Sequence, residues 1–419
     1  MPKTRERPRR NFWRLSSNRS WMLLGPAFVA SIAYVDPGNV AANLTGGARY
    51  GYLLVWVIVA ANLMAAIVQY QSAKLGIITG RSLPELLGTR LRTGQRRAFW
   101  AQAELVAVAT DLAEVIGGAI ALYLLFGIPL FLGGIIVGVV SMVLLSLQNR
   151  FGQRPFESVI IGLLAIIAIG FLAGLFVNPP DGGAVVGGLL PRFAGTDSVL
   201  LAASMLGATL MPHAIYVHSA LARDRHGMAT NEGRSRLLRT TKWDVLIALG
   251  LAGIVNLGML LLAAVNLRGV SGTDTIEGAH AAIQTSLGPG IAFVFAIGLL
   301  ASGLASTSVG SYAGATIMQG LLHRQIPLFA RRVITLIPAI AILALGVDPT
   351  WALILSQVFL SFGIPFALIP LMRLTNDRAL MGESANRPVV RWVLGTIVVL
   401  VIALNLALIV LTVTTGGGP

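Results

Sequence analysis

Tyr34-Val35-Asp36-Pro37-Gly38-Asn39 interrupts an otherwise apolar run near the start of this 419-residue chain, and Gly207-Ala208-Thr209-Leu210-Met211-Pro212-His213 interrupts another near its middle. Pro37 removes a backbone donor and its ring clashes with the preceding turn; Gly38 eases the departure from helix. An aspartate at membrane depth costs about 2.5–3.5 kcal/mol on insertion scales, so such a residue normally faces a cavity or a partner. Unwound backbone is tolerated in a bilayer only where protein buries it or it lines water. Two plain proline kinks, with a structural Asp, are the simpler alternative. The positions of the two stretches along the chain decide between these readings.

Composition places both runs in lipid. Of the residues 55% are hydrophobic and 11% charged, against about 25% charged in soluble domains. No cysteine is present, which removes disulfides, thiolate metal sites and Cys nucleophiles together. A transmembrane helix needs about 20 mostly apolar residues. Eleven segments qualify, at about 22–45, 52–77, 101–126, 129–148, 156–177, 197–221, 243–266, 288–320, 327–346, 351–372 and 392–413. Turn and charge signals such as Asn178-Pro179-Pro180-Asp181-Gly182 separate them, and Phe126-Gly127-Ile128-Pro129 reads as one tight apolar hairpin.

Charge supports that count. Of the 31 Lys and Arg residues, 28 fall in one alternating set of loops, while only Arg49, Arg192 and Arg268 fall in the other. The positive-inside rule puts the first set in the cytoplasm, with the N-terminus inside and the C-terminus outside. The net charge of +14 is then topological, and nucleic-acid binding is not expected. A cleaved signal peptide is not expected either, because the first run is long and ten more follow. Asn43-Leu44-Thr45 matches a glycosylation acceptor but lies at a helix end. Residues 1–20 form a basic cytoplasmic tail, and short loops favour a bacterial inner membrane as the location.

The broken spans are the first and the sixth. Interrupted helices at matching positions in two halves mark a binding site between inverted repeats. The expected fold is therefore an all-α membrane protein of eleven transmembrane helices, with inverted repeats of spans 1–5 (residues 21–180) and 6–10 (residues 181–375) and spans 1 and 6 broken. Residues 376–419 add a loop and span 11. The breaks offer the Asp36 carboxylate, the Asn39 amide oxygen, the Met211 thioether and freed carbonyls. Oxygen ligands alone suit hard calcium or magnesium, and sulfur shifts the preference to transition metals. Met211 alone would more simply be packing; its place beside Pro212 gives it a second reading.

Asp36-Pro37-Gly38-Asn39 and Met211-Pro212-His213 together resemble the two signature motifs of the NRAMP family of divalent-metal/proton symporters, and the resemblance runs through all eleven spans. It implies a LeuT-type fold. It also implies manganese or iron bound by Asp36, Asn39, Met211 and the Ala208 carbonyl, with Gln357 of span 10 joining in some conformations. The intact Met211 favours these ions over magnesium or aluminium. Nothing in the metal motifs departs from the family pattern.

Uptake against a gradient needs a second ion or a potential, and spans 3, 6 and 9 carry ionisable residues. Glu104, Asp111 and Glu114 cover an arc of about 80° on one helix. His213 and His218 follow the second break, and Arg331 and Arg332 begin span 9. Chains of Asp, Glu and His inside a membrane mark proton relays, and a static salt-bridge network is the alternative for Glu104, Arg331 and Arg332. The resemblance implies proton transfer by Asp36, Asp111 and Glu114, with His213 near the metal and Arg332 pairing with the span 3 acids.

Three other functions fit less well. A sodium-coupled amino-acid transporter would offer free amides to a substrate carboxylate, which Asp36 would repel. A metal channel predicts acidic rings around a symmetric pore. An intramembrane hydrolase would need a His-Glu-x-x-His or Gly-x-Ser-x-Gly motif, and neither occurs. No enzyme activity, resident cofactor or obligate protein partner is expected. The partners are the metal ion, protons and the lipid bilayer.

Overall fold

The computed structural model describes residues 25–151, 153–226, 231–323 and 328–414. The expected basic tail lies outside the described residues. Among the described residues there are helices and no strands. In chain order the first are α1 (Pro26–Ile32), α2 (Pro37–Tyr50), α3 (Val55–Thr79), α4 (Leu83–Arg90), α5 (Thr93–Phe126), α6 (Leu130–Phe151), α7 (Gln153–Val177) and α8 (Gly182–Gly187). They are followed by α9 (Thr196–Thr209), α10 (Pro212–His226), α11 (Asn231–Asn266), α12 (Ile276–Leu287) and α13 (Pro289–Leu322). The chain closes with α14 (Leu328–Ala344), α15 (Pro349–Asn376), α16 (Arg378–Met381) and α17 (Pro388–Thr414).

Among the described residues, eight helices, with α9 and α10 taken together, are long and apolar enough to cross a membrane, and Pro26–Val35 and Leu130–Val143 are shorter apolar helices. Length and composition alone therefore do not fix a count of eleven. α1 and α2 are halves of one interrupted run, and α14 has only 17 residues. Two helices outrun their apolar segments. α5 begins at Thr93 and α11 at Asn231, because good helix formers such as Gln, Arg and Ala carry the helix into polar sequence. The tight hairpin is present: Gly127 adopts φ 68° and its N–H bonds the Tyr123 carbonyl, ending α5 just before α6. The short helices α4, α8 and α12 lie in segments read from sequence as loops.

Both interruptions are helix restarts. α1 runs into a 3-10 turn at Ala33–Val35, Asp36 becomes extended (φ −73°, ψ 168°), and Pro37 opens α2. Asp36 is the N-cap: its Oδ1 accepts the Asn39 backbone N–H at 2.8 Å. Asp followed by Pro is a strong helix-start signal, since proline's missing N–H is one that no first turn could use. α9 likewise ends at Thr209, Leu210 departs to φ −103°, ψ 56°, and Pro212 opens α10.

Packing puts these breaks at the centre. α9 and α10 are buried along almost their whole length, whereas α7 and α17 turn much of their surface outward. Large apolar side chains such as Phe176, Val389 and Trp392 are exposed there, as contact with lipid requires. Lipid tails offer no hydrophobic drive between helices, so close approach of small residues carries the association. α13 packs along α5 and α7. A Cβ added at Gly303 of α13 would meet the Glu114 carbonyl oxygen and Gly118 Cα of α5 at 3.1 Å. Gly303→Val should therefore force α5 and α13 apart, costing about 1–3 kcal/mol. A thermal melt in detergent checks this: the midpoint should fall for Gly303→Val and hold for Leu400→Val on the outer face of α17, and equal midpoints would contradict the packing.

Candidate metal centre

A helix that stops leaves its last carbonyls without intrahelical donors, and in a dry interior each must find another. At the first break the Tyr34 carbonyl accepts from Asn256 Nδ2 of α11 at 2.6 Å, and the Val35 carbonyl accepts from Ser302 Oγ of α13 at 2.6 Å. Asn43 Nδ2 of α2 donates to Asn256 Oδ1 at 2.8 Å, which ties the two sides of the break together. Asn43 is thus a buried structural residue, in keeping with discounting it as a glycosylation acceptor.

The second break frees a different carbonyl. Pro212 cannot donate to the residue four positions earlier, which is Ala208. The Ala208 carbonyl accepts instead from Asn39 Nδ2 at 3.1 Å, and the same Asn39 amide nitrogen donates to Asp36 Oδ1 at 2.8 Å. One –NH2 group therefore bridges a carboxylate and a carbonyl that come from the two separate breaks. A cation could bridge the same two acceptors once the Asn39 amide turned its oxygen inward. Among the described residues Asn39 Oδ1 is buried without a hydrogen-bond partner, and so is Gln357 Oε1. Gln357 of α15 donates through Nε2 to Asp36 Oδ2 at 3.4 Å. Asp36, Asn39, Ala208, Met211 and Gln357 are all essentially unexposed.

Two glycines make room for Gln357. A Cβ at Gly38 would collide with the Gln357 side chain, and one at Gly207 with the Gln357 carbonyl. Glycine in both motifs therefore lets α15 lie against both breaks at once. The 3-10 turn that follows α1 packs against α9. No group of three or more His, Asp or Glu residues gathers in metal-ligating range among the described residues. The donor set the breaks offer is a single carboxylate, amide and backbone oxygens, and the thioether of buried Met211. That mixture suits a borderline divalent ion better than a hard one.

The acidic residues of α5 face α13 and α14. Asp111 forms an ion pair with Arg332 at 2.9 Å, and Glu104 one with Arg331 at 3.0 Å. Arg332 Nε also donates to Ser141 Oγ of α6 at 3.0 Å. Neither carboxyl oxygen of buried Glu114 has a hydrogen-bond partner among the described residues. His213 Nδ1 lies 3.3 Å from Thr110 Oγ1, one residue before Asp111, which joins α10 to the acidic face of α5. His218 lies elsewhere: its Nδ1 is 2.8 Å from Gln69 Oε1 of α3, and Gln69 Nε2 donates to the Tyr34 hydroxyl at the first break. Sequence reading missed Gln69, Thr110, Asn256 and Ser302. Each is a polar side chain in an apolar helix, a signal that marks a residue without naming its partner.

The chain is similar to known proteins over most of its length. The family described as natural resistance-associated macrophage protein-like (Nramp) matches residues 27–411. The "Divalent metal cation transporter MntH" of Mycobacterium tuberculosis is 62% identical over 402 residues, covering 96% of this chain and 94% of that one. Its Bacillus subtilis namesake is 48% identical over 389 residues, covering 92% and 91%. The crystal structure of the Eremococcus coleocola manganese transporter superposes with a TM-score of 0.83 at 32% identity, covering 94% of this chain and 88% of that one. MhsT in complex with L-phenylalanine shares the fold at a TM-score of 0.58 and 14% identity.

The convergence at the two breaks predicts that Asp36→Ala abolishes manganese binding while leaving the protein folded. Calorimetric titration of the purified variant checks this, with circular dichroism as the control for folding. Retained binding at wild-type affinity would place the ion elsewhere.

Proposed function

The chain belongs to the Nramp family, and from that premise we propose that it imports divalent manganese or iron across the membrane, coupled to protons, by alternating access. It is a multi-pass membrane transporter whose relatives include proteins named as divalent metal cation transporters. One observation carries the substrate reading: the Asn39 amide joins Asp36 of the first break to Ala208 of the second. Asp36, Asn39, the Ala208 carbonyl and Met211 would hold the ion, with Gln357 added as the site closes. A single carboxylate leaves much of a divalent charge uncompensated, and the modest affinity that results suits a site that must release its cargo.

The two breaks support a LeuT-type arrangement in which spans 1–5 and 6–10 are inverted repeats. Adding α1–α2, α6 and α14 to the eight long apolar helices gives eleven crossings, with the N-terminus in the cytoplasm by loop charge. MhsT shares the overall fold. An amino-acid substrate is disfavoured here because Asp36 would face its carboxylate.

Proton coupling rests on α5. Asp111 and Glu114 lie along one face of that helix, Asp111 is held by Arg332, and Thr110 leads to His213 behind the metal motif. A proton arriving at Asp36 could pass to this buried network while the metal leaves by the opposite route. Glu104 and Arg331 extend it towards the α5 start. His218 would act at the Tyr34–Gln69 contact.

Proteoliposomes loaded with a pH dye test the reading. Manganese entry should acidify the lumen, and Asp36→Ala should reduce entry to background. Entry without acidification would reject the coupling, and no entry by wild type would reject the metal reading. Met211→Ala should keep manganese transport but cut discrimination against calcium and magnesium by about tenfold, on the order of 1.4 kcal/mol; unchanged competition by those ions would exclude the thioether. Asp111→Asn should lower proton movement more than manganese binding, and wild-type acidification by that variant would remove Asp111 from the relay.

A further inference from the structure

α15 carries two internal prolines, Pro365 and Pro370. Each frees the carbonyl four residues before it, which means Ser361 for Pro365 and Phe366 for Pro370. In a membrane helix such carbonyls are tolerated only when neighbouring groups bond them. The Ser361 carbonyl accepts from Asn405 Nδ2 of α17 at 2.9 Å, and the Phe366 carbonyl accepts from the Tyr216 hydroxyl of α10 at 3.4 Å. Two prolines are thus answered by two donors on two different helices.

The Asn405 contact lies one helical turn from Gln357. Asn405 is 5% exposed on a helix whose neighbouring positions face outward. Its Oδ1 also accepts from Ser361 Oγ at 2.7 Å, so the side chain grips Ser361 through both of its amide atoms. From α9, a Cβ at Gly207 would strike the Gln357 carbonyl and the Ser361 backbone nitrogen. The turn from Gln357 to Ser361 is therefore packed against the second break and bonded by α17. A helix that lacks one of its own hydrogen bonds bends there, and Asn405 sets where that bend is restrained.

We propose that Asn405 is a positioning residue for the metal site: by supplying the hydrogen bond that Pro365 cannot, it holds the Gln357 turn in register with Asp36. This inference rests on the metal-transport reading above. It gives span 11, which lies outside both repeats, a part in substrate binding.

The chemistry yields a specific rescue. Asn405→Leu removes the donor, and Pro365→Ala restores an amide that can bond the Ser361 carbonyl within α15. Manganese uptake should be measured for wild type, both single variants and the double variant, per mole of folded protein in proteoliposomes. Asn405→Leu should raise KM by roughly five- to thirty-fold, the scale of one or two lost hydrogen bonds, with a smaller change in maximal rate. Pro365→Ala in that background should bring KM back towards the wild-type value. An unchanged KM in Asn405→Leu, or a double variant no better than the single one, overturns the proposal. If Asn405→Leu alone fails to fold, the double variant must recover folded protein with a near-wild-type KM, and its failure to do so overturns the proposal equally. Wild type and Asp36→Ala in the same assay separate the two levels. Manganese uptake by wild type that Asp36→Ala abolishes sustains the metal reading whatever Asn405 does.

Discussion

A backbone carbonyl buried away from water must find a donor, and proline withholds the one its helix would have supplied. That constraint organises the centre of this protein. Pro212 frees Ala208, Pro365 frees Ser361 and Pro370 frees Phe366, and each carbonyl is bonded by a side chain from another helix. The carbonyls left where α1 stops are bonded by Asn256 and Ser302. Each of these points is thereby also a junction between elements. Of these three carbonyls, Ala208 is the one bonded by an amide that also holds a carboxylate, and this is where the two breaks meet.

The surroundings keep that junction dry and close. Gly38 and Gly207 admit α15, and Gly303 admits the backbone of α5. Larger residues at these points would separate the groups that converge on Asp36. Two pairs of charged residues lie beside it, Asp111 with Arg332 and Glu104 with Arg331. Such pairs offset the cost of burying charge only when geometry is good. Their rearrangement is the natural response to a proton entering or leaving, which is why the same contacts serve both stability and the proposed coupling.

Much of this was legible in the sequence, because proline and charge inside apolar runs are loud signals. Asp36, Asn39 and Met211 stood out by position, the all-helical class by composition, and the hairpin at Gly127 by its residues. Ala208 and Gln357 entered only through the family resemblance, although Pro212 points to the Ala208 carbonyl once the missing bond is counted. The partners of Gln69, Asn256 and Asn405 were not legible. A lone amide in an apolar helix announces that it needs a partner, but the rotation and packing of neighbouring helices decide which one it gets. α5 and α11 begin before their apolar spans for a related reason: hydropathy marks the stretch suited to lipid, whereas the helix itself continues for as long as propensity and capping allow.

The central claim is that the two helix restarts build one cation site with a carboxylate, backbone and amide oxygens, and a thioether. X-ray absorption at the manganese edge on metal-loaded protein tests it most directly. The account predicts a sulfur scatterer among oxygen ligands in the wild type, its loss in Met211→Leu with manganese still bound, and no specifically bound manganese in Asp36→Ala. A wild-type spectrum with oxygen and nitrogen scatterers alone, or an unchanged spectrum in Asp36→Ala, would contradict it.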